Sequence, residues 1–271
     1  TKVEIIEKNI YGVDIEPMAV EISRLRTWLS IIVDEESDSK KIKPLPNLEF
    51  KFVCANSLID LDNGTSVLGD DSNLDVKLRN IRDAYFNTES LNKKKKLRSE
   101  YEKLVSGQEN LFGESLRSKQ LKTYKPFDNE SSASFFNPGF MFGIKNFDTV
   151  IGNPPYVTYK GRQKVNVSGQ ELKYYLENYK NSAEYKVNSY ALFIERAFNL
   201  IKENGTLSYI IPSTILQNKY LEKIRSYILK NQQIDFIVIF ENKVFQAVTD
   251  SIILQCSKRK SGKAVKNFKK D

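Results

Sequence analysis

The chain has 271 residues, a net charge of +8, no histidine and 40% hydrophobic residues, enough for one large domain or two small ones. Without histidine there is no Ser-His-Asp triad, no histidine-dependent nuclease and little chance of a zinc centre, so no metal site is expected. Cys54 and Cys256 are too few for a disulfide framework and read as buried thiols in a reducing compartment.

Residues 3 to 10 lead into Ile10-Tyr11-Gly12-Val13-Asp14-Ile15, a predicted strand ending on a carboxylate. Pro17 stands where a helix tolerates its missing donor. Met18, Ile22, Leu25, Leu29 and Ile32 then recur at spacings of four and three, one apolar helix face. Asp14 is a solvated turn residue in the plain reading. In the functional one it is a strand-end acid that hydrogen-bonds a ribose, as in dinucleotide folds.

The run 48–55 (Leu-Glu-Phe-Lys-Phe-Val-Cys-Ala) predicts a second strand, ending in Asn56-Ser57-Leu58. Residues 60 to 73 are rich in Asp, Asn, Gly and Ser and predict a loop. From 74 to about 124 charged helix formers dominate, predicting an insertion of one or two helices outside the sheet. Lys93 to Lys96 either contacts DNA phosphates or is a solvated helix face, the commoner case for such a run.

Phe135 to Phe142 is an aromatic loop punctuated by Gly and Pro, leading into Phe147-Asp148-Thr149-Val150-Ile151, an apolar strand. That strand runs into Gly152-Asn153-Pro154-Pro155-Tyr156. Two successive prolines fix φ, remove two backbone donors and exclude helix before each. The rigid corner presents a carboxamide, carbonyls and an aromatic ring at the C-terminal end of a strand, where open α/β sheets bind ligands. A lone Asn-Pro would be an ordinary turn; four residues in this setting are more specific.

A polar stretch follows to about 188, with bases and aromatics interleaved (Tyr159, Lys160, Arg162, Lys164, Lys173, Tyr174, Tyr175), as suits a nucleic-acid-facing loop or any lid. Tyr190, Phe193, Ala197, Leu200 and Ile201 form a helix face closed by Asn204-Gly205. Leu207–Ile211 predicts a strand, Leu221, Ile224 and Ile228 a helix, and Ile234–Phe240 a buried strand. Val244-Phe245-Gln246-Ala247-Val248 turns into a last strand, Ser251–Cys256, expected to pair antiparallel as a hairpin. Residues 258–271 carry +6 of the net charge, seven bases against Asp271, so the body is nearly neutral and the tail reads as disordered.

The strand-end acid, the Asn-Ser-Leu strand end, the Asn-Pro-Pro-Tyr corner and the Phe-bearing hairpin, in this order, resemble the γ-class adenine-N6 DNA methyltransferases. The likeness is to the large single-chain, type IIG-like restriction-modification branch. The resemblance implies an α/β fold, a Rossmann-like seven-stranded sheet flanked by helices, with S-adenosylmethionine as methyl donor and double-stranded DNA with a flipped adenine as partner. It implies that Asp14 binds the donor's ribose, Ile15 packs on its adenine, and Asn56, where the family often has Asp, contacts the adenine amine, with Ser57 beside it. Asn153 and the Pro154 carbonyl, on the corner completed by Pro155, would hold the target amine. Tyr156 would stack on the flipped base, and Phe245 would cover its other face or else be a core phenylalanine.

The family's aromatic-x-Gly-x-Gly motif is not found before Asp14, and no target-recognition domain or Pro-Asp…Glu-x-Lys nuclease centre is visible. The expectation is therefore a piece of a prokaryotic, cytoplasmic enzyme. Residues 1–73 would be a donor-binding half lacking its first strand, 74–124 the helical insertion, 125–256 the catalytic half and 257–271 a basic tail. With that strand missing, the strands ending at Asp14 and Asn153 should close on each other, exchange with a second copy as a homodimer, or splay apart with the N-terminal unit loosely attached. Closure or exchange is favoured by the apolar face of the 17–33 helix, and donor binding should be weak. The alternatives are a methyltransferase acting on protein glutamine or RNA, and a binding module that has lost the donor site. No membrane span or signal peptide is evident.

Overall fold

In the computed structural model, residues 2–33, 47–63, 71–107, 115–160, 165–240 and 250–258 are described. The chain divides into two compact units, Thr1–Ile144 and Lys145–Asp271.

In the first unit, α1 (Lys2–Asn9) precedes β1 (Gly12–Asp14) and α2 (Pro17–Ile32). Pro17 opens α2 at its first turn, where a missing N–H leaves nothing unsatisfied. β2 (Phe52–Cys54) is shorter than expected. Leu48–Phe50 coil into a 3-10 turn, with the Lys51 N–H donating to the Leu48 carbonyl at 3.0 Å. β1 and β2 pair in parallel, Gly12 opposite Phe52 and Asp14 opposite Cys54. Gly12 is required there, because a Cβ would lie 2.6 Å from the Phe52 ring.

The apolar face read on α2 is not the one it buries. Met18, Ile22, Leu25, Leu29 and Ile32 are exposed, while Val20 and Ile31 are buried, packing with Ile6, Leu48, Phe52 and Trp28. Arg24, on the buried side, decides the rotation. Its guanidinium donates to the carbonyls of Phe52 at 2.6 Å and Glu49 at 3.2 Å, tying α2 to the start of β2.

Among the described residues the insertion holds three helices, α3 (Asp71–Phe86), α4 (Leu91–Val105) and α5 (Leu116–Thr123); α3 begins inside the predicted loop. They share an aromatic core with Phe50, whose ring centroid lies 5.5 Å from those of Tyr85, Phe86 and Phe127 and 6.4 Å from that of Tyr101. Asp75 is clamped by Arg79 and Arg117; burial opposes its charge, but the two guanidiniums win and hold its pKa below the usual range. The aromatic loop at 135–142 contains the short helix α6 (Pro138–Met141), capped by the Asn137 carboxamide accepting from the Phe140 N–H at 2.9 Å.

In the second unit, β3 (Phe147–Gly152), β4 (Ile201–Pro212), β5 (Gln232–Ile239) and β6 (Ser251–Lys258) form a sheet of order β3-β4-β6-β5. β3 and β4 are parallel; β6 lies between β4 and β5, antiparallel to both. The chain is thus α/β, with a sheet flanked by helices, as expected. α7 (Gly169–Asn178), α8 (Ser189–Leu200) and α9 (Glu222–Asn231) complete the unit. Its core runs from Ile194, Ala197 and Phe198 on α8 through Leu207, Ile211, Ile252 and Leu254 to Ile224 and Ile228 on α9.

Among the described residues β3 is an edge strand, with Ile151 76% exposed. β5, read as buried, is the other edge, and Phe236, Ile237, Val238 and Ile239 are exposed on it. An apolar run records that a strand lacks polar residues, not how many neighbours it has. Asn204 takes a left-handed φ of +62° where the chain makes an excursion between Ile201, opposite Phe147, and Thr206, opposite Thr149.

Candidate active site

The predicted site residues fall on both units. In the first, parallel pairing brings the C-terminal ends of β1 and β2 side by side. Asp14 is exposed, and one carboxylate oxygen accepts from the Glu16 N–H at 2.9 Å, which holds the turn into α2 in place. Its other oxygen has no partner among the described residues. Ile15 follows with 59% of its surface exposed. The Cys54 thiol donates to the Ile15 carbonyl at 3.3 Å; burial raises its pKa, and the carboxylates of Asp14 and Glu16 add to that.

Asn56 is buried. Its N–H donates to the Ala133 carbonyl at 2.9 Å and its side-chain oxygen accepts from the Leu58 N–H at 3.1 Å. A carboxamide oxygen carries two lone pairs and accepts more than one donor. Ser57 is half-buried beside it. A strand-end carboxylate with an open oxygen next to an exposed branched aliphatic suits a ribose diol and an adenine ring, so these residues fit the donor implied by the family.

In the second unit, β3 delivers the corner. Gly152 passes the Tyr209 ring so closely that a Cβ would sit 3.1 Å from it. Burial raises the Tyr209 hydroxyl's pKa, keeping it neutral. Asn153 is exposed, and its carboxamide has no hydrogen-bond partner among the described residues. Pro154, the next residue, is buried.

The Pro155 carbonyl accepts from the Ser189 hydroxyl, which also accepts from the Val157 N–H at 3.2 Å. Tyr156 is anchored by its hydroxyl to the Ile210 carbonyl at 3.2 Å on β4, and its ring meets Tyr190 edge-on at 6.4 Å. The Tyr190 hydroxyl lies 3.1 Å from that of Thr214. Corner and ring are thus held by α8 and β4, the elements adjoining β3, while the carboxamide stays open.

Sequence reading missed Ser189, which carries no motif signal. It also missed α7, whose start was legible: Ser168-Gly-Gln-Glu171 is a capping box, formed in the structure with Ser168 Oγ accepting from the Glu171 N–H at 3.1 Å. Of the lysine run, Lys93, Lys95 and Lys96 are exposed on α4, while Lys94 is turned inward to Asn47. Phe245 and the basic tail from 259 lie outside the described residues. Among those residues no cluster of potential metal ligands occurs, and no helix is long and apolar enough to cross a membrane.

A parallel strand delivering Asn-Pro-Pro-Tyr at its C-terminal end, in a chain that also carries a strand-end acid unit, is the combination on which the sequence resemblance rests. The chain belongs to the Eco57I restriction-modification methylase family, whose model matches residues 8–245. It is 34% identical over 104 residues to the type II restriction enzyme and methyltransferase RM.Eco57I of Escherichia coli, covering 38% of this chain and 10% of that protein. It is 29% identical over 136 residues to the type II methyltransferase M.AccI of Acinetobacter calcoaceticus, covering 48% and 24%. These matches thus cover a quarter or less of either relative's length. The structure of the type IIG restriction endonuclease BpuSI overlays 72% of this chain and 26% of its own at 15% identity and a TM-score of 0.35, too slight a likeness to carry weight.

Proposed function

We propose that this chain is the catalytic part of a DNA adenine-N6 methyltransferase, using S-adenosylmethionine to modify an adenine extruded from the duplex in the cytoplasm of a prokaryote. The observation that carries this reading is the state of the corner: the Asn153 carboxamide is open while the Pro155 carbonyl is occupied by Ser189. The acceptors left to receive the target amine are the Asn153 oxygen and the Pro154 carbonyl. The names of the relatives, type II methyltransferases, support DNA as the substrate.

The exocyclic amine of adenine is a weak nucleophile because its lone pair is delocalised into the ring. Two fixed acceptors on its hydrogens pull the nitrogen toward tetrahedral geometry and localise the lone pair, while the Tyr156 ring orients the base. The bound donor supplies an electrophilic methyl group on a sulfonium. Asp14 and Ile15 would hold its ribose and adenine, with Asn56 and Ser57 adjoining. Catalysis then rests on positioning and preorganised dipoles, with the proton leaving to water after transfer. The base must leave the stack first, since the amine is unreachable inside it.

The test is methylation mapping of host DNA from cells expressing the full-length protein. N6-methyladenine should appear at a defined sequence with the wild type and vanish with Asn153→Ala. Methylation that survives the substitution removes Asn153 as the acceptor for the target amine.

A further inference from the structure

A second feature stands at the outer end of the segment leaving the corner. Residues 157–159 run antiparallel to 187–189: the Tyr159 N–H donates to Val187 at 2.8 Å, the Ser189 N–H donates to Val157 at 2.9 Å, and Thr158 bridges Asn188. Where this ribbon ends, Tyr185 stacks on Tyr220 with ring centroids 5.8 Å apart and planes at 30°. Tyr185 is 69% exposed and Tyr220 38%.

The Lys160 ammonium lies 6.0 Å from the Tyr185 ring centre and the Lys186 ammonium 5.0 Å from that of Tyr220. Lys219 and Lys223 are exposed nearby in the chain. Of the adjacent acids, Glu222 is exposed, and Glu184 is committed to the first turn of α9, accepting from the Lys223 N–H at 2.9 Å. That bond fixes the 184–186 segment against the turn carrying Tyr220. The surface therefore presents a tyrosine pair with one ammonium over each ring, Tyr185 mostly exposed, and the balance of charge is positive.

Its position matters as much as its composition. Tyr220 lies in the 3-10 turn Lys219–Leu221, reached from the C-terminal end of β4. The corner leaves the C-terminal end of β3, and β3 and β4 are parallel neighbours. Both features thus follow the same edge of one sheet. Lys160 is four positions on from Tyr156, at most about 13 Å of extended chain, or roughly four base steps of duplex.

We propose that Tyr185, Tyr220, Lys160 and Lys186 form a DNA-docking platform distinct from the base pocket, which holds the strand flanking the extruded adenine. The outer face of Tyr185 stacks an unpaired base, a sequence-tolerant contact, while the ammonium groups neutralise neighbouring phosphates. This rests on the proposed function in taking DNA as the partner.

The test measures anisotropy of a labelled mixed-sequence oligonucleotide, single-stranded and as duplex, titrated with the 271-residue chain. Tyr185→Ala should weaken single-strand binding by about five-fold to a hundred-fold, the loss of one base–aromatic stack. Tyr185→Phe should stay within about two-fold of wild type. Lys160→Ala and Lys186→Ala should each lower the slope of log affinity against log salt by about 0.7 on single strands. Because Tyr185 is mostly in water, its removal should leave the melting temperature unchanged, which separates a docking role from a structural one.

Wild-type affinity in Tyr185→Ala overturns the platform and leaves the proposed function standing. Weakened binding by Tyr185→Ala together with full methylation by Asn153→Ala in the full-length protein keeps the platform and overturns the catalytic assignment. A wild-type chain that binds neither oligonucleotide overturns the platform.

Discussion

The Ser189 hydroxyl, on the first residue of α8, donates to the carbonyl of Pro155. Ser189 is fully buried, and the same oxygen accepts from the Val157 N–H. One side chain thus pins the chain directly after the two prolines and determines which carbonyl of the pair remains open. A Pro-Pro corner fixes its own φ angles, but nothing in it fixes its tilt on the sheet; Ser189 supplies that.

We therefore predict that Ser189→Ala slows methyl transfer by about ten- to a hundred-fold, since small misplacement of reacting groups carries costs of that order. DNA affinity should be almost unchanged. Ser189→Thr, which keeps the hydroxyl, should recover part of the rate if its methyl group fits. Single-turnover kinetics on the full-length protein decide the matter, and a Ser189→Ala rate equal to wild type would exclude the positioning role.

A second prediction concerns the donor. The resemblance implies a glycine-rich loop that walls the donor's methionine moiety, and no Gly-x-Gly stretch occurs in the 271 residues. The chain alone should bind S-adenosylmethionine more weakly than a low-micromolar dissociation constant. Asp14→Ala should reduce even that, because the open carboxylate oxygen is the group suited to the ribose. Titration calorimetry reads both, and tight binding by the chain alone would show that the donor needs no such loop.

Gly205 offers a test of the fold around the corner. A Cβ there would lie 2.9 Å from the backbone oxygens of both Asp148 and Lys202, and neither can move without disturbing β3 or β4. Gly205→Ala should destabilise the protein by about 1–3 kcal/mol, as overpacking does, lowering the melting temperature by several degrees. Gly169→Ala, where nothing lies within 4 Å of the added carbon, is the matched control and should melt as wild type.

Lys51 carries the pH dependence. It is buried, with its ammonium 3.8 Å from the centre of the Tyr11 ring. Burial pushes its pKa down to about 8, against the opposing pull of the Glu7 carboxylate. In the unfolded chain a lysine titrates near 10.4. Between those values the unfolded state holds more protons, so stability rises with pH across about 8 to 10.4. Lys51→Met removes this gain; the difference in melting temperature between variant and wild type should shift in favour of the wild type over that interval. A difference that stays flat would show that Lys51 keeps an ordinary pKa.

Local chemistry made much of this protein legible from its residues. Gly-Asn-Pro-Pro-Tyr can only be a rigid corner, because two prolines restrict the residues before them as well as themselves. The helix around Tyr190–Leu200 follows from periodicity, but Asn204-Gly205, expected to close it, lies inside β4, and Asn204 takes there the left-handed conformation that Asn tolerates. The order of acid, Asn-Ser-Leu and corner carried the family.

What tertiary structure alone decided are the matters of partnership. Periodicity along α2 marked an apolar stripe, yet Arg24 bonding to the carbonyls of Glu49 and Phe52 turned a different side inward. The apolar run of β5 gave no sign that β6 would enter between it and β4 and leave it an edge. Ser189 is one serine among many until folding sets it against Pro155, 34 residues away. A hydrogen bond between distant positions leaves no periodic trace in a chain, so the groups that orient the corner became visible only once the sheet and α8 had brought them together.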